Sequence, residues 1–166
     1  MSSTHYVFIA RSRVPDRTAL QASIDAIGFD LKLHPGYTRF EDSGFLPFVL
    51  NGRAGFGFEI YYQDASAVIG DDKNLQMISD GRDYCISMVW SSSMGDLACG
   101  MIVSCALTKD FGALVSYEGN PPEPLEAMLA CARDVIAEGK GEEPPTASPG
   151  PASPGTAPRK PWWKLW

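Results

Sequence analysis

The groups in this 166-residue chain that could take or give a proton near neutral pH are few and scattered. Glu41-Asp42, Glu59, Asp64 and Asp71-Asp72 are the acids near turns or apolar runs, and His5 and His34 are the two imidazoles. Hydrolysis by paired carboxylates needs two of them a few ångströms apart, which spacing along the chain does not establish. Glu59 follows Phe58 and precedes Ile60, so strand alternation turns it away from both and toward solvent. Ser91-Ser92-Ser93 stands where a strand meets a helix, as a nucleophile elbow would, but it lacks the flanking glycines and an assigned histidine. Helix capping accounts for these serines.

Cys85, Cys99, Cys105 and Cys131 lie in apolar segments at irregular spacings, with no Cys-x-x-Cys pair to fix a zinc tetrahedron. They read as buried reduced thiols. Gly52, Gly55 and Gly57 with Arg53 resemble a phosphate loop in composition only, because FEIYY, which follows, is a strand and not a helix whose N-terminus could face a pyrophosphate. No catalytic residue, metal or cofactor is expected, and the chain reads as non-enzymatic.

Charge is divided. Residues 1–139 carry ten Lys or Arg against eighteen Asp or Glu, a balance of −8, whereas residues 140–166 carry four against two, a balance of +2. The acidic body repels a phosphate backbone, which argues against nucleic acid and for a basic protein partner. The segment 140–158, rich in Pro, Ala, Ser, Gly and Thr, reads as a disordered linker. It ends in RKPWWKLW, residues 159–166, where Trp162, Trp163 and Trp166 need a cover. A groove on a partner, a membrane surface, or the chain's own acidic domain would each supply one. No basic n-region opens the chain, and its longest nearly uncharged apolar segment, residues 97–108, is shorter than the roughly 17–25 residues that span a bilayer. The expected compartment is the cytoplasm.

The positioning elements follow from periodicity. Residues 44–63 (GFLPFVLNGRAGFGFEIYYQ) place Asn51-Gly52 between two apolar runs, the signature of a β-hairpin. Residues 5–10 (HYVFIA) show no polar alternation and predict a strand covered on both faces. Pro15 and Asp16 open a helix carrying Leu20, Ile24 and Ile27, stopped by Gly28. Residues 30–34 and 84–90 alternate as strands; 97–107 is a helix apolar nearly all round; 113–117 is a strand; and 125–138 is a last amphipathic helix. Residues 64–83 fit no single element, being short helices or a sheet edge. The expected architecture is α+β for residues 1–139: a mixed β-sheet with a central β-hairpin and three helices packed on it.

The phrases GFDLKL (residues 28–33), EDSGFLPFVLNG (41–52) and GFEIYY (57–62) resemble small cytosolic bacterial proteins of the type that neutralises secreted antibacterial toxins. The likeness covers about residues 5–138, and the Pro-Trp-Trp-Lys ending is similar to a recurrent bacterial C-terminal peptide. The resemblance implies an immunity protein that binds a toxin and has no catalytic residues to carry over. Glu41, Asp42, Asp64, Asp71 and Asp72 are the expected steering charges, with Tyr37, Phe40 or Tyr62 as exposed aromatic anchors. The alternative is an adaptor whose tail is the ligand. The oligomeric state is left open by either reading.

Overall fold

A computed structural model describes residues 2–91 and 93–144. In chain order the elements are β1 (Ser3–Ile9), a 3-10 turn (Arg11–Arg13), α1 (Arg17–Ala26), β2 (Leu31–Leu33), β3 (Gly44–Leu50) and β4 (Arg53–Asp64). Then come α2 (Ala65–Ile69), α3 (Lys73–Ser79), β5 (Tyr84–Trp90), α4 (Met94–Phe111), β6 (Leu114–Tyr117) and α5 (Leu125–Glu138). The strands form one six-stranded sheet in the order β2-β3-β4-β5-β1-β6. The fold is α+β.

Two expectations are corrected. The sheet is antiparallel at every pairing, not mixed. The helical crossovers from β1 to β2 and from β5 to β6 do join strands that run the same way, but those strands are never neighbours. Between β5 and β6 lies β1, and three strands separate β1 from β2. There are also five α-helices among the described residues instead of three, because residues 64–83 fold into the two short helices α2 and α3.

The hairpin forms where Asn51-Gly52 predicts it. Leu50 pairs with Arg53 across a two-residue turn in which Asn51 and Gly52 have φ of 51° and 79°, as a type I′ turn requires. Gly55, at φ 105°, is the extra residue of a bulge between the Phe48–Phe56 and Val49–Ala54 pairs. Gly57 is closer still to its neighbour: a Cβ there would lie 2.2 Å from the Leu46 carbonyl oxygen.

Both faces of the sheet are covered. Val7 and Ile9 of β1 point into the main core beneath α1, α4 and α5, while Phe8 points to the other face and packs with Ala65, Leu75, Ile78 and Cys85. A helix of five or seven residues is marginal by itself. Burying Leu75 and Ile78 against Phe8, at about 1.5–3 kcal/mol per large apolar side chain, holds α2 and α3 in place. On the main face α4 is buried along nearly its whole length, from Gly95 to Leu107. Ser93 caps it by accepting from the Asp96 N–H, and Gly112 ends it at φ 70°. Asp16 similarly caps α1 through the Ala19 N–H. No helix among the described residues is long and apolar enough to cross a membrane.

Candidate functional site

The acids singled out from the sequence fall into two groups on the structure. Glu41 and Asp42 lie in the loop from β2 to β3, where Asp42 accepts from the Thr38 N–H at 2.8 Å. A shallow depression of about 480 Å³ joins that loop to Tyr61, Tyr62 and Gln63 at the end of β4, the strand that Asp64 completes. Asp71 and Asp72 belong to the link between α2 and α3. Asp72 is the N-cap of α3, accepting from the Asn74 and Leu75 N–H groups at 2.9 and 3.0 Å. Asn74 Nδ2 donates to the Gly119 carbonyl at 2.8 Å, so α3 reaches the β6 side of the sheet. Since β4 and β6 are three strand steps apart, roughly 14 Å, the two acidic groups stand at different places along the outer face.

The α2–α3 layer supplies an apolar centre that the sequence did not single out. Met77 is 75% exposed, the larger by far of the two exposed large hydrophobics among the described residues, the other being Tyr117. Asp72 at the start of α3 and Asp80 at its end flank it. Asp80 meets Arg82 at 3.5 Å, a surface pair of little energetic weight.

The aromatic anchors are not exposed. Tyr37 is buried, its hydroxyl in contact with that of Tyr62, and burial pushes its pKa up to about 12. Phe40, at φ 70°, and Tyr62 pack against the core, their rings in an edge-to-face contact with centres 5.8 Å apart. The Arg11 guanidinium lies 4.3 Å from the Phe40 ring centre, and that of Arg39 lies 5.5 Å from it. These rings form a cation-capped cluster, and the two arginines temper the negative field around Glu41 and Asp42. A polar loop sequence gives no sign that its aromatics turn inward. Glu59 is exposed, as alternation requires.

Of the two histidines, His34 is half-buried, and its Nδ1 accepts from the Gly36 N–H at 2.9 Å. His5 is 2% exposed and faces the underside of α4 and α5. Its Nδ1 accepts the Trp90 indole N–H at 3.2 Å. Burial lowers its pKa to about 4, with the Glu118 charge pulling the other way, so the ring is neutral at physiological pH.

Two carboxylates do approach each other, at the N-terminus of α4, and neither was among the candidates. Asp96 is buried and reaches across to β4, accepting from the Gly57 N–H at 2.9 Å and from the Ser91 hydroxyl at 3.3 Å. Burial raises its pKa to about 6, with the charge of Glu142 adding to the rise. Glu142 accepts from Ser93 Oγ at 2.6 Å and from the Gly95 and Met94 N–H groups at 3.1 and 3.3 Å. Although burial works against its charge, these three bonds hold its pKa below the usual carboxylate range. The Ser93 cap of α4 is thus backed by a carboxylate that comes from beyond α5. Every carboxylate oxygen here already has a protein donor, so the pair is a latch between the sheet, α4 and the chain after α5. Residues 140–144 accordingly remain on the domain, with Glu143 3.4 Å from Arg53.

Trp162, Trp163 and Trp166, together with residues 145–158 of the expected 140–158 linker, lie outside the described residues. Among the described residues no group of three His, Cys, Asp or Glu side chains could hold a metal ion. Compared with known protein families, with curated proteins and with solved structures, the chain has no match.

Proposed function

We propose that this chain is a non-enzymatic protein-binding module, of the immunity type, that occludes a basic protein toxin with the outer face of its α2–α3 layer. The observation that carries the reading is Met77, 75% exposed, on a helix bounded by Asp72 and Asp80 and preceded by Asp71 and Asp64. An apolar anchor inside a charged rim is how protein interfaces are built. The excess of acid in residues 1–139 gives the face a long-range attraction for a basic partner. Glu41 and Asp42 extend the rim toward the β2–β3 loop and steer more weakly, because Arg11 and Arg39 stand beside them. The likeness of residues 28–33, 41–52 and 57–62 to toxin-neutralising proteins points the same way.

The experiment compares capture from source-cell lysate by the full chain, by Met77→Asp, and by a chain lacking residues 160–166. The proposal expects one basic protein to be held by the full chain and the shortened chain and lost from Met77→Asp. Capture that depends on residues 160–166 and ignores Met77→Asp would replace it with the adaptor reading, in which the tail is the ligand.

A further inference from the structure

On the face of the sheet opposite Met77, β1, β5 and β6 form the floor of a second feature, a cavity of about 310 Å³ roofed by α4 and α5. His5, Trp90 and Tyr117 make that floor as three adjacent rings. Their centres are 5.2 Å apart for His5–Tyr117, 6.2 Å for His5–Trp90 and 6.3 Å for Trp90–Tyr117. Met101 of α4 and Met128 of α5 face them across the space, and Glu123 stands at the rim. The volume equals about ten water molecules at liquid density, and it lies at the lower end of the range for small-molecule sites.

One polar group within this apolar space has no partner. Because Nδ1 of His5 accepts the Trp90 indole proton, the neutral ring must carry its own proton on Nε2. Nε2 has no hydrogen-bond partner among the described residues, although His5 is 98% buried by its 2% exposure. The nitrogen is not sealed in, since Thr108 Oγ1 is the one buried side-chain polar atom without a partner among the described residues; the Nε2 proton is therefore open to be met from the cavity.

We infer that this cavity is a binding site for a small, flat, uncharged molecule with a carbonyl oxygen or ring nitrogen that accepts the His5 Nε2 proton. Each part of that description follows from a wall of the site. The three-ring floor and the two thioethers favour a planar, polarizable ligand. Glu123 at the rim and Glu118 near His5 disfavour an anion. A cation finds no acceptor at Nε2, because the nitrogen that carries the proton is a donor only. This site is independent of the proposed protein-binding face, and either can fail without the other.

Coumarin, which is bicyclic, planar and neutral with a lactone carbonyl, is a suitable probe. Naphthalene is its match without an acceptor, and 2-naphthoate its match with a negative charge. Calorimetric titration of the full chain with all three, together with the nitrogen resonances of His5, reads both affinity and contact. The expected result is that coumarin binds about tenfold more tightly than naphthalene, the worth of one hydrogen bond, and more tightly than 2-naphthoate. It should shift the His5 Nε2 resonance. His5→Phe should erase the preference for coumarin while leaving naphthalene binding. Met101→Trp, which fills the cavity while leaving residue 5 a histidine, should abolish both. Equal affinity for coumarin and naphthalene, preference for the anion, binding that survives Met101→Trp, or no binding of any probe would overturn the inference.

Discussion

Asp96→Asn isolates the electrostatic cost of the latch beneath α4. The substitution keeps the side chain's shape and an oxygen for the Gly57 N–H, and it removes the charge. In the folded protein the Asp96 carboxyl is raised from 3.8 to about 6, first by burial and then by Glu142. The folded state therefore binds the proton more tightly than the unfolded chain. Below about pH 4 both states are protonated and Asp96 costs nothing. Between pH 4 and 6 the unfolded chain loses its proton first, so stability falls, and above pH 6 the loss is constant. Two units at 1.36 kcal/mol each set an upper bound near 3 kcal/mol, and partial solvation of the site brings the figure to about 1–3 kcal/mol.

His5 acts oppositely over the same range. With its pKa lowered to about 4, it withholds stability in acid and returns it as pH rises toward its ordinary 6.5. The wild-type pH profile is therefore flattened, and the difference between variant and wild type is the informative quantity. Urea unfolding of both proteins at pH 4, 5, 6 and 8 should show the stability of Asp96→Asn minus that of wild type rising by about 1–3 kcal/mol from the lowest pH to the highest. Any constant cost of the amide cancels from that slope. A difference that stays flat, or that shrinks as pH rises, would refute the reasoning.

Gly57→Ala should destabilise the protein by about 3 kcal/mol or more by urea unfolding, because the new Cβ meets the Leu46 backbone oxygen at 2.2 Å and a strand cannot rotate away; a loss below 1 kcal/mol would contradict the close approach. Glu142→Ala should cost about 0.5–2 kcal/mol and speed amide exchange at Met94 and Gly95, whose N–H groups it leaves unmet; unchanged exchange at both would mean the latch is not formed in solution. Under native conditions a thiol reagent should label Cys131 first, since it is half-buried while Cys85, Cys99 and Cys105 are buried. Reaction should be slow, because burial and the charges of Glu123, Asp134 and Glu138 raise its pKa, and mass spectrometry of the labelled peptides would expose any other order.

The parts of the fold legible in the sequence are those set by short-range chemistry. Asn51-Gly52 specifies its turn, Asp16 the acidic start of α1 and Gly28 its stop, the serines before α4 its cap, and the unbroken run through Val7, Phe8 and Ile9 a strand buried on both faces. The rest of the fold depends on distant partners. With five and seven residues, α2 and α3 are too short to display a helical period, and they are recognisable only once Phe8 and Cys85 are seen beneath them. The direction of strand pairing depends on β1 inserting between β5 and β6, which no local pattern announces.

The candidate sites follow the same division. Asp42 and Asp72 were recognisable as acids in turns, but their roles in holding the loop and capping α3 were not. Met77 is one apolar residue in a segment whose inward and outward sides could not be separated without the sheet. His5 looked like one more titratable residue, and its significance comes from Trp90, 85 positions away. Tyr37 and Tyr62 read from the sequence as exposed anchors, whereas their hydroxyls meet each other inside.

The most direct test of the central claim is the association rate between the captured basic partner and two forms of the full chain, measured at low and high salt. The variant form carries Glu41→Gln, Asp64→Asn, Asp71→Asn and Asp72→Asn, the last of which preserves the N-cap of α3 because asparagine caps as well as aspartate. Steering by the acidic face predicts a rate at least about tenfold slower for the variant at low salt, with the two forms converging as salt is raised. Equal rates at low salt would contradict it.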